Sequence, residues 1–94
     1  MTTSSISLGE VTTDGILHTG NTRVSSVLII TDGTNPADAI LYDNTAASGD
    51  KVFEGGVAGA TRSHLFDFSR PVKCKNGLYL NITGTGASVI VYTG

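Results

Sequence analysis

Apolar residues recur at every second position in short runs, and nowhere is a 3.6-residue spacing kept beyond one turn. The runs are SSISL (4–8), GILHT (15–19), RVSSVLIIT (23–31), DAILYDN (38–44), DKVFE (50–54), SHLFDFS (63–69), PVKCK (71–75), GLYLNIT (77–83) and ASVIVYT (87–93). They are rich in β-branched residues and separated by Gly, Asn and Asp. That pattern predicts an all-β chain: a single antiparallel β-sandwich or jelly-roll-like domain with about eight or nine short strands. The Ala-rich segments TAASG and GGVAGAT are broken by glycine within a turn, so almost no helix is expected. Asp14-Gly15, Asp32-Gly33 and Asn76-Gly77 each suit a turn position with positive φ. Residues 29–44 and 81–94 echo one another: each reads Ile-Thr, a Gly-Thr turn, a small residue and an aliphatic strand ending in Tyr. Shared hairpin design explains this better than duplication.

Alternation also assigns faces. In GLYLNIT, Leu78, Leu80 and Ile82 share one face; in the last run Val89 and Val91 lie on one face, Ile90 and Tyr92 on the other. A strand apolar on both faces is covered on both sides, so the C-terminal strand is expected inside a sheet or against a neighbouring subunit. The opposite terminus is expected to fray, which divides the chain into a flexible arm, residues 1–8, and one β-sandwich domain, residues 9–94. His64 falls in step with Phe66 and Phe68 and reads as a core-edge histidine. Cys74 alternates with Lys73 and Lys75 and is expected to point inward with Val72.

With 94 residues and 9.7 kDa the chain can hold one core. Burial and chain-ordering terms are of similar size in a domain this small, so the monomer should be marginal. A single cysteine excludes a disulfide within the chain and suits a reducing compartment. Charged residues make up 15% of the chain, where globular proteins average about 25%. A surface so poor in charge suits coverage by partners, and a homo-oligomer is the expected source of the missing stability. The six Lys and Arg are scattered and net charge is −2, which argues against nucleic acid as a partner. MTTSSISLGE has no secretion-signal pattern, and VLII (27–30) is too short to span a bilayer, so synthesis in a cytoplasm and no membrane partner are expected.

Candidate chemistry is sparse. His18, His64 and Cys74 lie far apart in sequence, so no metal site is expected. Asp32, Asn35 and Asp38 do not match calcium-loop spacing and read as turn-capping side chains. GGVAGATRS lacks the lysine and the helix of a phosphate loop, and Ser48-Gly-Asp-Lys51 sits in a turn where an acyl-serine nucleophile must open a helix. Asn81-Ile82-Thr83 is a formal glycosylation sequon without meaning in an unsecreted chain. The three Tyr and three Phe are expected in core and interface anchoring instead of a stacking platform. No catalytic residue, cofactor or metal is expected, and the chain does not read as an enzyme.

VLIITDGTNPADAILYDNTAASGDKVFEGG followed by VKCKNGLYLNITGTGASVIVYTG resembles the small β-rich virion structural proteins of tailed bacteriophages, of the capsid cement or decoration type. The resemblance covers residues 24–94: a strand ending in Thr-Asp-Gly, an LYDNT strand leading into a Ser-Gly turn, and a closing GLYLNITGTGASVIVY hairpin. It implies a sandwich or jelly-roll unit that works without catalysis, as an oligomer, on a virion lattice. The implied partner is the major capsid protein or another virion protein, with a trimer favoured, synthesis in the host cytoplasm and residence in the virion. The alternatives are a tail or head-fibre component contacting a host surface and a free-standing ligand-binding module. The loops TDGTNPAD, NTAASGD and EGGVAGATRS carry no aromatic residue, which favours cement over a receptor binder. Contacts are expected from the arm, through Thr2, Thr3, Ser4, Ser5, Ile6 and Leu8 pairing as an added strand, and from loops at Asn35, Gly55 and Gly56.

Overall fold

The computed structural model describes residues 6–93. Among the described residues there are eight strands and no helix: β1 (Ile6–Val11), β2 (Gly15–Thr19), β3 (Thr22–Ile30), β4 (Ala37–Tyr42), β5 (Lys51–Val57), β6 (Ser63–Cys74), β7 (Gly77–Thr83) and β8 (Ser88–Thr93). Antiparallel ladders join β1 to β8, β2 to β7, β3 to β6 and β4 to β5, the nesting of one long hairpin. Rolling that hairpin up adds the β3–β8 and β4–β7 ladders and yields two four-stranded sheets, β1-β8-β3-β6 and β2-β7-β4-β5. This is the strand order of an eight-stranded jelly roll, the fold class the alternation predicts.

Several local expectations change. SHLFDFS and PVKCK are one strand, β6, of 12 residues. Pro71 does not end it because β6 is an edge strand, and because Pro71 falls in the irregular stretch between Asp67, opposite Ser26, and Val72, opposite Val24. Gly55 and Gly56 are not in a loop; they pair within β5 opposite Ala39 and Asp38. Ile6, Ser7 and Leu8 belong to β1, with Ile6 opposite Thr93 and Ser7 opposite Tyr92, so these three residues are not a free arm. Thr2, Thr3, Ser4 and Ser5 lie outside the described residues. Of the three glycines expected at positive φ, Gly33 (90°) and Gly77 (139°) adopt it and Gly15, the first residue of β2, does not. At Gly77 a β-carbon would also stand 2.6 Å from the carbonyl oxygen of His18, so the β6–β7 turn admits only glycine on two counts.

The core lies between the sheets. Val24, Val27, Ile29, Val89 and Val91 face inward from one sheet and Ala39, Leu41, Leu78 and Leu80 from the other, all fully buried. β8 runs between β1 and β3, so the second sheet covers its Val89–Val91 side while Ile90 and Tyr92 on the outer side stay half-buried. The phenylalanines lie at the rim. Phe53 from β5 meets Phe66 and Phe68 from β6 with ring centroids 5.0 and 5.9 Å away, and His64 stands edge-on to Phe66 at 4.6 Å. These rings close the gap between the two edge strands, and the exposed His64 sits at the core edge as its alternation predicts. Gly55 makes room for them, since a β-carbon there would stand 2.7 Å from the Phe53 ring. Cys74 is fully buried, and loss of hydration pushes its thiol up to about 11. Val72, expected to be inward, is 36% exposed because it lies on the edge strand next to the irregular stretch.

Candidate functional site

The described loops collect at two ends of the sandwich. At one end the buried Thr31 ties β3 to the β5–β6 connection: its hydroxyl donates to the carbonyl of Thr61 at 2.7 Å and its N–H to the carbonyl of Arg62 at 2.7 Å. Beside it the Asp32 carboxylate accepts from the N–H groups of Thr34 (2.8 Å) and Asn35 (2.7 Å) and from the Asn35 side-chain amide (2.9 Å). These bonds, those from Asn35 foremost, hold the Asp32 carboxyl below the usual carboxylate range. Asp32 and Asn35 thus act as turn caps, while Asp38 stands apart on β4. At the opposite end the Asp43 carboxylate accepts from the N–H groups of Asn76 (2.8 Å) and Lys75 (3.0 Å), pinning the β6–β7 turn; the Asn76 bond is the main cause of its lowered pKa.

The residues expected to supply partner contacts are dispersed over the molecule. Asn35 lies in the β3–β4 turn; Ile6 and Leu8 lie in β1, with Ile6 at the far end of the sheet opposite Thr93; Gly55 and Gly56 lie within β5. His18, His64 and Cys74 are likewise not brought together, and His18 Nε2 bonds the carbonyl of Asn21 at 3.0 Å. Among the described residues no group of three or more His, Cys, Asp or Glu could hold a metal ion.

The outer faces of the sheets carry the distinctive chemistry. On β1-β8-β3-β6, register places Leu28, Leu65 and Ile90 in one row, with Ser26, Tyr92 and Asp67 on one side of it and Ile30, Ser88 and Ser63 on the other. Leu65 is 50% exposed and Leu28, Ile30 and Ile90 are half-buried, so the face carries an aliphatic stripe with small serines between, edged by the exposed carboxylates of Glu10, opposite Ile90, and Asp67. Towards one end Arg23 and Lys73 stand directly opposite each other and line, with Asn21, Thr22 and Thr93, a depression of about 440 Å³. Like charges in register repel, and neither has an ion-pair partner among the described residues.

On β2-β7-β4-β5 the register gives three rows. Ile16, Tyr79, Tyr42 and Lys51 form the first, Asn81, Ile40 and Glu54 the second, and Thr83, Asp38 and Gly56 the third. The second and third rows, with Gly55, enclose a groove of about 430 Å³. The Asp38 carboxylate lies over Gly56, in the space a β-carbon would fill. Lys51 Nζ is 3.0 Å from Glu54 Oε1 at the rim. A smaller hollow of about 230 Å³ lies beside His64 and Phe66. The tyrosine pair and this groove escape a reading confined to single strands, since Tyr42 and Tyr79 are 37 positions apart; the signal that could have found them is the outward phase of Tyr42 in DAILYDN and of Tyr79 in GLYLNIT. Comparison with protein-family models, with curated proteins and with solved structures finds no match to this chain.

Proposed function

We propose that this chain is a non-catalytic virion structural protein, a capsid cement or decoration protein that binds the assembled shell as an oligomer and stabilises it. The observation that carries this reading is the aliphatic outer face of β1-β8-β3-β6, where Leu65 is half-exposed beside Leu28, Ile30 and Ile90. Packing that face against protein removes apolar area from water at about 25 cal/mol per Å², which a small core lined by Val, Ala and Leu needs. The phage-like segments at residues 24–94 supply the kind of partner, and a trimer is the favoured assembly. Shell stabilisation follows from mass action: a protein that binds intact lattice and not loosened lattice shifts the balance by about 2.7 kcal/mol per site at a hundredfold excess over Kd.

Light scattering of the full chain, then cosedimentation with assembled empty shells and thermal melting of the shells, tests the proposal. A multimeric mass, pelleting with shells and a raised melting temperature are expected. A monomer that stays in the supernatant would sink it. Because residues 6–8 are part of β1, the arm is tested by removing residues 1–5; deletion through Leu8 would remove half of a strand. A tail or head-fibre component is the second reading, favoured by the groove on the opposite sheet, and binding to host cells without binding to shells would establish it.

A further inference from the structure

The groove on β2-β7-β4-β5 has a size and chemistry that attachment to a shell through the other sheet leaves unused. Tyr79 and Tyr42 lie four positions along their strands from Thr83 and Asp38, a length of about 14 Å at 3.4 Å per residue. From Asn81 across Ile40 to Glu54 the width is two strand spacings, about 10 Å. Its chemistry is biased towards acceptors. The carboxylates of Asp38 and Glu54 only accept hydrogen bonds, and the Asn81 amide both accepts and donates. With Lys51 paired to Glu54, the face keeps one uncompensated negative charge on Asp38, which disfavours an anionic ligand. Bare backbone at Gly56 lets Asp38 lie flat and leaves the trench open. The groove itself is lined by the second and third rows; the half-buried, opposed tyrosines of the adjoining row extend the face beyond it and add aromatic surface for a flat C–H face and hydroxyls for a polar edge.

A ligand for this surface donates several O–H groups, carries a flat aliphatic face and has no negative charge. We propose that the groove binds a linear neutral saccharide, on the order of two or three sugar units at that ~14 Å length. Tyr42 and Tyr79 receive the C–H face of one unit, and Asn81, Glu54 and Asp38 take the hydroxyls of the next. Charge-assisted O–H to carboxylate bonds supply the strongest contacts. The Asp38 position depends on Gly56, so Gly56→Ala displaces that carboxylate and also puts a methyl group into the groove that Gly56 lines.

The test is titration of the isotopically labelled full chain with maltotriose, cellotriose and tri-N-acetylchitotriose, followed by amide NMR, with trigalacturonate as the charged counterpart. Sugar is added to ~20 mM, enough to load a site of millimolar Kd. At least one neutral trisaccharide should give saturable shifts confined to residues 38–42, 54–56 and 79–83, with none from trigalacturonate. Tyr79→Ala and Asn81→Ala should each weaken binding at least tenfold, Gly56→Ala should weaken it several-fold, and Arg23→Ala on the other sheet should leave it unchanged. If Tyr79→Ala fails to fold, the exposed Glu54→Gln serves in its place. Absence of groove shifts with all three neutral sugars, shifts that map elsewhere, or tighter binding of trigalacturonate would each overturn the proposal. Shell cosedimentation reads the other sheet, so loss of either activity alone separates the two proposals.

Discussion

On the central strands β3 and β8 the outward side chains are Ser26, Leu28, Ile30, Ser88, Ile90 and Tyr92; on the central strands β4 and β7 they are Asp38, Ile40, Tyr42, Tyr79, Asn81 and Thr83. Both sets come from the same period-two alternation and stand on the outside of the same sandwich. The first is aliphatic with small gaps, a surface that gains by exclusion of water over its whole area. The second mixes acceptors, an amide and phenol groups around a trench, a surface that gains through directed hydrogen bonds with one ligand. The lesson is that outward does not mean solvated: a face with no partner within the chain still differs in what it would accept.

The difference breaks most visibly in assembly. On the proposed reading, with the oligomer packed through this face, Leu65→Glu at a half-exposed edge position should reduce the light-scattering mass to that of the 9.7 kDa chain while costing the fold no more than about 0.5 kcal/mol. Thr83→Glu on the other sheet should leave the mass unchanged, and equal behaviour of the two variants would erase the contrast. Next in size is the aromatic seam that holds both faces in place. Phe53→Ala removes a ring that contacts Phe66 and Phe68, and a loss of about 2–3 kcal/mol is expected in urea unfolding, less than for a fully buried Phe.

Cys74 closes the core at the end of β6, and its burial sets an alkaline limit. Its folded pKa, about 11, lies above the ordinary 9.0, so between these values the unfolded thiol has lost a proton that the folded one retains. The Cys74 contribution is therefore constant below about pH 9 and lowers stability as pH rises towards 11; Cys74→Ala should abolish this alkaline limb in pH-dependent melts. The smallest effect sharpens the like-charged pair at one end of the aliphatic face. Lys73→Glu, opposite Arg23, replaces repulsion by attraction and should add about 0.2–1 kcal/mol, less at high salt. An unchanged melting temperature at low salt would show that the two side chains do not interact.

Strand after strand was legible because the chain alternates so regularly: RVSSVLIIT, GLYLNIT and ASVIVYT each correspond to one observed strand, β3, β7 and β8. The capping by Asp32 and Asn35 and the burial of Cys74 were legible for the same reason, being local in sequence or set by phase. What misled was punctuation. Pro71 and the Gly55-Gly56 pair look like strand ends, yet an edge strand does not need every N–H, and a glycine under a large ring is a packing site.

Composition and period thus determined an all-β chain with a single small core, since alternating short runs without cysteine pairs or helical spacing leave no other way to bury apolar area. Only the tertiary structure decided which outward residues become neighbours. The rolled hairpin sets Tyr42 against Tyr79 and lays Asp38 over Gly56 by joining segments that are distant in sequence. Register across a ladder is set by long-range pairing, and a single strand carries no information about the residue that will stand beside it.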